Sequence, residues 1–332
     1  MSSRTRRPGL TLADGIKATL ADLLEEDERV VLMGEDIGRV GGVFRITAGL
    51  LDRYGADRVI DSPLSEAGLV GVAIGRALAG AHPIVEIQFD GFVLPALNQI
   101  IGHLAKMPAR LDGQGTLPVT VRVPFGGRIH AAEFHSESPE ALFAHSPDLA
   151  VVAASRAETV SGLLRSVVEA REPAIFLEPK REYRRRRIET DAVVTDVDHR
   201  RCAVVRDGTD VTLVAYGPTV SLATEAADQL AEDGISCQVV DLVSLAPLDT
   251  ERIFDLVAST GRVTVISEAV RRCSIASEVV SQIAEHAFAD LKAPPAVVSS
   301  PNHPPPPPIR EAAYFPSTDA VCDAVRRQID AK

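Results

Sequence analysis

The chain has 332 residues, of which 45% are hydrophobic and 24% are charged, and its formal net charge is −11 at pH 7. This length predicts two α/β domains rather than one core, and the negative charge argues against a dedicated nucleic-acid-binding protein. Four cysteines without C-x-x-C spacing predict neither a zinc site nor a disulfide framework, and they favour a reducing, cytoplasmic location.

The basic N-terminal segment MSSRTRRPGL lacks the apolar stretch of a signal peptide, and we expect it to be a frayed tail, with a trimmed transit-peptide remnant as the alternative. No apolar run in the chain reaches the roughly 18 residues that a membrane span requires. The sequence therefore predicts no membrane association.

Short apolar runs alternate with helical patterns in the first half of the chain. Strands are predicted over 29–33, 83–89, 118–124, 148–154 and 173–179, and helices over 11–25, 66–79, 93–106 and 157–170. The strands are rich in Val and Ile and almost continuously apolar, as expected for strands that are covered on both faces. This alternation predicts a mostly parallel sheet in a first domain over 1–185.

The alternation stops in a charged segment and then restarts. We predict a linker with one short hairpin over 186–207 and a second, smaller α/β domain over 208–332. Its strands are predicted over 210–217, 236–242, 262–268 and 295–300, and its helices over 221–234, 249–261, 274–290 and 317–330. Five consecutive prolines at 304–308 predict a short polyproline II rod.

Glu66 opens a helix that is otherwise built for burial, because every residue from Ala67 to Gly75 is apolar or glycine. With Ser65 or Ser62 as the N-cap, attraction between the carboxylate and the free N–H groups of the first turn explains its position without any function. A functional carboxylate is the alternative, and local sequence alone leaves both explanations open.

The segment 125–149 places three histidines and three glutamates between two predicted strands, where α/β sheets bind ligands. His135 precedes a predicted helix start with Ser136 or Ser138 as its cap, and a helix N-terminus lowers the pKa of an imidazole. A capping or surface histidine is the alternative. The spacing of His130 and His135 does not fit zinc, so we assign no metal ligand.

Five ordered motifs resemble the β subunit of the decarboxylating first component (E1) of 2-oxoacid dehydrogenase complexes. They are GEDIGRVGGVFRIT, DSPLSEAGLVG, EIQF, HSESPEALFAHSPDL and AIFLEPKREYR. The stretches DVTLVAYGPTV and VVDLVSLAPLD are similar to the second domain of that family. The resemblance implies an α/β fold of two doubly wound domains, a transketolase-like pyrimidine-binding domain followed by a transketolase C-terminal-like domain. Within the family, HSESPEALFAH and FLEPKREYR are most similar to the branched-chain enzymes.

The resemblance also implies thiamine diphosphate as the cofactor, bound between two different subunits. This chain would bind the pyrimidine end, while the GDG…N motif of an α subunit, absent here, would hold the diphosphate and Mg²⁺. The implied assembly is an α2β2 heterotetramer that is inactive without the α subunit. It would catalyse oxidative decarboxylation and transfer the acyl group to the lipoyl transacylase component, whose subunit-binding domain is a further partner.

Five residues match site positions of that family. Glu66 matches the glutamate that hydrogen-bonds N1′ of the aminopyrimidine and favours its imino tautomer. Phe92 matches the aromatic residue that packs on the pyrimidine ring, and Leu64 and Gln88 match neighbouring pyrimidine contacts. Without the resemblance, Phe92 and Leu64 are better explained as core residues and Gln88 as a partner of backbone groups; the family match reverses this preference. His135 matches the active-site histidine of the β chain, which orients or protonates intermediates during acyl transfer to lipoamide.

The sequence departs from the family pattern at four places. Ser267-Glu268-Ala269 stands where His-Glu-Ala is frequent, and VRRCSIASE replaces a Gly-rich turn. Ala170-Arg171-Glu172 replaces an Asp-x-Asn element for a structural potassium ion, and NHPPPPP replaces an Asp-x-Pro-x-Pro segment. These departures indicate an unusual substrate, an altered partner interface or a specialised paralogue.

The favoured hypothesis is therefore a branched-chain E1 β subunit, and a pyruvate or acetoin dehydrogenase β subunit is the nearest alternative. A non-catalytic scaffold paralogue is the alternative of another class, and the presence of Glu66, Gln88, Phe92 and His135 disfavours it. The short length and the missing diphosphate motif disfavour a single-chain transketolase-type enzyme.

Overall fold

Two mainly parallel sheets form the framework of the protein. The structure, a computed structural model, describes residues 9–131 and 133–331. The strands of the first half are β1 (Val30–Gly34), β2 (Val59–Asp61), β3 (His82–Glu86), β4 (Thr120–Phe125), β5 (Ala150–Ala153) and β6 (Ala174–Pro179). The helices of the first half are α1 (Leu12–Glu26), α2 (Leu50–Tyr54), α3 (Glu66–Leu78), α4 (Leu97–Gln99), α5 (Met107–Leu111), α6 (Glu140–Ala144) and α7 (Val160–Glu169).

The second half repeats the pattern with fewer strands. Its strands are β7 (Ala203–Arg206), β8 (Val211–Ala215), β9 (Cys237–Asp241), β10 (Ser244–Ala246), β11 (Val263–Val270) and β12 (Ala296–Ser300). Its helices are α8 (Thr219–Glu232), α9 (Thr250–Thr260), α10 (Ile275–His286) and α11 (Thr318–Asp330). The prediction of two α/β units built on mainly parallel sheets is confirmed, since the described strands form one sheet of seven strands and one of five.

The sheet orders are β10-β5-β6-β4-β3-β1-β2 and β12-β11-β8-β9-β7. All neighbouring strands run parallel except β10 beside β5 and β7 beside β9. Alternate side chains of β1 enter two different apolar clusters, with Val31 and Met33 in one and Val30 and Leu32 in the other. Both faces of the first sheet are therefore covered, which explains the nearly continuous apolar strands in the sequence.

Two predictions of local structure were wrong, and one strand was missed. The region 93–106 is not one helix: a 3₁₀ turn over Asp90–Ala96, the short α4 and a π-turn over Ile100–Leu104 follow one another. Pro95 lies inside the 3₁₀ turn and cannot donate a helical hydrogen bond. The linker contains no hairpin, because β7 pairs with the distant β9. The short β10, which joins the first sheet, was not predicted at all.

Parallel strands bring the loops that follow them to one edge of a sheet. Five strands are each followed, in the next loop or at the start of the next helix, by a candidate site residue. After β1, β2, β3, β4 and β6 these are, in turn, Glu35, Glu66, Gln88, His135 and Lys180. The strand order places β3 between β1 and β4, with β6 beside β4. The fold therefore gathers residues from five separate segments at this edge of the first sheet.

A buried ion network joins the three central strands beneath that edge. The Arg122 guanidinium donates from Nε to Glu178 Oε1 at 2.6 Å and from Nη2 to Glu178 Oε2 at 2.9 Å. Its Nη1 donates to Glu86 Oε2 at 2.8 Å, and the Tyr183 hydroxyl donates to Glu178 Oε2 at 2.6 Å. A two-pronged guanidinium–carboxylate contact has a strict geometry, so the network fixes β3, β4 and β6 relative to one another.

We expect Arg122→Leu to lower the free energy of unfolding by about 3–5 kcal/mol, because two buried carboxylates lose their counter-charge. Arg326→Leu is the matched control: Arg326 pairs with Asp233 where both side chains are about half exposed, and its loss should cost less than about 1 kcal/mol. Urea unfolding of both variants measures the difference. Equal destabilisation by the two substitutions would show that the buried network has no special weight.

Candidate active site

Glu66 occupies the first position of α3, and the structure fixes which serine caps this helix. The Ser65 hydroxyl accepts a hydrogen bond from Gly68 N at 3.3 Å, whereas the Ser62 hydroxyl donates to the Pro63 carbonyl at 2.8 Å. Ser65 is therefore the N-cap, and Glu66 is not needed for this role. Glu66 is only 8% exposed, although an N-terminal helix carboxylate commonly faces water.

The Glu66 carboxylate has no hydrogen-bond donor among the described residues. The nearby titratable group is a second acid, Glu35, whose Oε1 accepts from Ser65 N at 3.0 Å. Burial raises the pKa of Glu35, and the negative charge of Glu66 raises it further. Two carboxylates close together with an unfilled acceptor favour a ligand that brings a hydrogen-bond donor.

Gln88 and Leu64 lie beside this acidic pair: Gln88 contacts Glu35, and Leu64 comes two residues before Glu66. The Gln88 side-chain amide donates to the Glu35 carbonyl at 3.2 Å and to Asp36 Oδ2 at 3.3 Å. Leu64 is 84% exposed, so its explanation as a core residue is wrong. An exposed leucine two residues from a buried carboxylate leaves an apolar contact surface at the site.

Phe92 and His135 meet in a cluster of rings. The His135 ring centroid lies 4.2 Å from that of Phe89 and 5.3 Å from that of Phe92, both edge-on. Phe92 is partly buried and packs against the main apolar cluster. The 3₁₀ turn that carries Phe92 packs against α3, so the ring cluster lies next to the helix that begins with Glu66.

The cause predicted for the lowered pKa of His135 was wrong. α6 begins at Glu140 with Pro139 as its N-cap and without a side-chain capping bond. The hydroxyls of Ser136 and Ser138 are buried and have no partner among the described residues. Burial lowers the pKa of His135, and the nearby charge of Lys180 lowers it further. His135 Nδ1 is also buried without a partner in the described part of the chain.

The second domain holds the loop between β4 and His135. Gly127 N donates to Glu268 Oε2 at 3.1 Å, and His130 N donates to Glu311 Oε2 at 3.0 Å. A side chain at position 127 would collide with Phe315, whose Cζ lies 1.9 Å from an ideal Cβ position. Glycine is therefore required where the two domains meet beside the site.

Two of the residues that depart from the family pattern, Ser267 and Glu172, make hydrogen bonds or ion pairs within the chain. Ser267 Oγ lies 2.6 Å from the Tyr216 hydroxyl, which also donates to Glu140 Oε1 at 2.5 Å. Glu172 pairs with His199 Nε2 at 3.2 Å and with Arg200. Tyr216 thus links Ser267 of the second domain to Glu140 of the first.

In residues 9–131 and 133–331, no cluster of three or more His, Cys, Asp or Glu side chains has the arrangement of a metal site. No helix in these ranges is long and apolar enough to cross a membrane.

Three important residues were missed at the level of sequence: Glu35, Lys180 and Glu311. Glu35 and Lys180 directly follow β1 and β6, and their position at strand ends could have identified them. No local signal distinguishes Glu311, because its role comes from the packing of the second domain against the loop after β4.

Two family models match the chain. The model for the transketolase pyrimidine binding domain matches residues 9–186, and the model for the transketolase C-terminal domain matches residues 200–321. A solved structure titled split gene transketolase, inactive beta4 tetramer, has a TM-score of 0.77 at 21% identity and covers 98% of this chain and 99% of its own. The fold and the matches define a transketolase-like protein.

Similar proteins of known function identify a narrower family within the transketolase-like proteins. The β subunit of the pyruvate dehydrogenase E1 component from Leifsonia xyli subsp. xyli is 42% identical, covering 98% of this chain and 96% of the relative. The 2-oxoisovalerate dehydrogenase β subunit of Bacillus subtilis is 41% identical, covering 88% and 90%. The 3-methyl-2-oxobutanoate dehydrogenase β subunit of Mycobacterium tuberculosis is 41% identical, covering 96% and 91%. The chain belongs to the E1 β subunits of 2-oxoacid dehydrogenases, a thiamine diphosphate-dependent family of oxidoreductases.

Glu140 gives this region a pH-dependent stability. Burial raises the pKa of Glu140 to about 7. When the pKa of a carboxyl group is higher in the folded state than in the unfolded state, the group stabilises the fold most at pH values below its unfolded pKa. This stabilisation is lost as the pH rises through the folded pKa. The Glu140 contribution should therefore be present at pH 4 and lost above about pH 7.

We expect Glu140→Gln, which can still accept from Tyr216, to flatten the decline in unfolding free energy between pH 5 and 8 by up to about 3 kcal/mol. Urea unfolding at both pH values tests this expectation, with the exposed Glu232→Gln as the control. Parallel pH profiles for the wild type and Glu140→Gln would contradict it.

Proposed function

We propose that this chain is the β subunit of a branched-chain 2-oxoacid dehydrogenase and that it acts with an α subunit in an α2β2 heterotetramer. The observation that carries the proposal is the buried Glu66 carboxylate at the start of α3, which lacks a donor among the described residues. A carboxylate held in this way is suited to hydrogen-bonding a cofactor ring nitrogen.

The residues of this edge fit the pyrimidine end of thiamine diphosphate. Glu66 would hold a proton shared between its carboxylate and N1′ of the aminopyrimidine. The exposed Leu64 and the partly buried Phe92 would contact the ring, while Gln88 would keep the Glu35–Asp36 turn in place. When bound, thiamine diphosphate supplies the electron sink that decarboxylation of a 2-oxoacid requires.

The α subunit would complete the site. We propose that it holds the diphosphate and Mg²⁺ through the motif that this chain lacks. The relatives are named β subunits, and the split transketolase chain is described as an inactive tetramer of β chains. Both support the expectation that this chain alone has no activity.

His135 would act after decarboxylation, when the acyl group passes to the lipoyl domain of the transacylase component. Its lowered pKa favours the neutral imidazole near pH 7, which can accept or donate a proton. The unpartnered Nδ1 leaves one ring nitrogen free of competing protein bonds among the described residues. We further propose that the transacylase docks through its subunit-binding domain and that the complex works in the cytoplasm.

The branched-chain preference rests on HSESPEALFAH and FLEPKREYR, because overall identity does not separate the two types. Relatives named for pyruvate and for 2-oxoisovalerate are 42% and 41% identical. The alternative is therefore a pyruvate-type subunit, and direct measurement of substrate preference decides between the two.

The chain should be co-expressed with the α subunit encoded beside it and assayed with pyruvate, 2-oxoisovalerate and 2-oxoglutarate. We expect kcat/KM for 2-oxoisovalerate to exceed that for pyruvate by about tenfold or more, since each additional methylene in a fitted pocket changes kcat/KM by roughly 10–200-fold. The β chain alone is the control and should be inactive. A preference for pyruvate would overturn the branched-chain assignment.

Glu66→Gln tests the role of the carboxylate in the reconstituted heterotetramer. We expect decarboxylation to slow by about 10²–10⁴-fold, the usual loss when a general acid–base group is removed, with assembly unchanged. Glu278→Gln is the matched control, because Glu278 lies in the first turn of α10 but is exposed. Near-normal turnover of Glu66→Gln would rule out the proposed contact.

A further inference from the structure

A buried ion pair lies directly behind His135. Lys180 Nζ donates to Asp90 Oδ1 at 2.8 Å and to the His135 carbonyl oxygen at 2.9 Å. The side chains of Lys180 and Asp90 are fully buried. Asp90 follows β3 and Lys180 follows β6, so the pair joins two strand ends to the loop that carries the histidine.

A contribution to stability does not by itself explain why the Lys180–Asp90 pair is buried. Removing two charges from water costs several kcal/mol per ion, and well-packed apolar residues often replace such pairs without loss. The second oxygen of Asp90, Oδ2, is buried without a partner among the described residues, so the pair is not fully satisfied. The bond from Lys180 to the His135 carbonyl is the contact that the pair makes beyond neutralising itself.

Two further contacts restrain the same segment. An ideal Cβ at Gly91 would lie 2.4 Å from the Phe134 carbonyl oxygen, so the turn after β3 touches the backbone before His135. The His135 ring rests on Phe89 and Phe92, and Lys180 Nζ lies 5.5 Å from the centroid of the Phe89 ring. The main chain and the ring of His135 are therefore held by neighbouring groups.

We propose that Lys180, neutralised by Asp90, is a positioning residue that fixes the main chain of His135 and so keeps its imidazole in place for acyl transfer. This inference rests on the proposed role of His135 in that step. It assigns Lys180 no contact with substrate or cofactor.

Charge contributes to the same arrangement. After burial, the ammonium group of Lys180 is the next cause of the lowered pKa of His135. The other charged groups around the pair include Glu137, on the histidine loop, Glu140, at the start of α6, and Glu268, on β11. Loss of Lys180 should therefore both release the main chain of His135 and raise its pKa.

The test uses the reconstituted α2β2 enzyme with Lys180→Met. We expect acyl transfer to the lipoyl domain to fall about tenfold, consistent with the loss of one charged hydrogen bond. Decarboxylation measured with an artificial electron acceptor should change less than about threefold. Lys292→Met is the matched control, because Lys292 Nζ also donates to a backbone carbonyl, that of Thr260 at 2.9 Å, but in the second domain.

A double variant separates positioning from general damage. If Lys180 acts through His135, Lys180→Met combined with His135→Ala should transfer acyl groups no more slowly than His135→Ala alone. If the double variant instead loses activity by the product of the two single-variant losses, the inference is overturned. If His135→Ala itself leaves acyl transfer intact, the proposed role of His135 fails instead, so the two failures are distinguishable.

Chemical modification gives a readout that does not depend on turnover. The rate at which diethylpyrocarbonate modifies His135, followed by mass spectrometry as a function of pH, reports its titration. In Lys180→Met the midpoint should move to higher pH. Asp90→Asn keeps the shape of the site and provides a second variant if Lys180→Met does not assemble. It should also move the midpoint upwards, because a buried Lys180 without its counter-ion loses its charge. An unchanged midpoint in whichever variant assembles would overturn the inference.

Discussion

The site depends on a carboxylate in a largely buried residue that has no donor within the described chain. Glu66 lies at the start of an apolar helix, beside a second acid that is itself shifted towards its protonated form. A ligand that brings a hydrogen-bond donor would satisfy this carboxylate, so the local chemistry at the start of α3 favours such a ligand.

The sequence predicted the framework well because burial on both faces leaves a clear signal. The apolar strands and the amphipathic α1, α7 and α8 were found within a few residues of their predicted bounds. The prediction failed where non-local pairing decides the structure, as in the short β10, or where proline breaks a pattern, as at Pro95. Periodicity cannot reveal a three-residue strand whose partner lies nearly a hundred residues away.

Some site residues could be found from the sequence, whereas the contacts of others become visible only in the structure. The motif around Glu66 and the position of His135 were predicted from sequence with the help of the family resemblance, and the structure brings His135 into contact with Phe92. Composition could not predict that Leu64 would be exposed or that Lys180 would reach the His135 carbonyl. Such facts depend on how separate strand ends converge, so the histidine loop is supported by groups from both domains.

The pairing of β10 with β5 has a consequence for the two halves of the molecule. β10 comes from the second half of the chain but closes the edge of the first sheet, and one apolar cluster continues from Val123 and Val151 to Val214 and Val240. Without the second half, β5 would be an exposed edge strand whose unpaired backbone N–H and C=O groups could pair with other chains. We therefore expect the two halves to fold together, because the first sheet needs a strand from the second half to cover its edge.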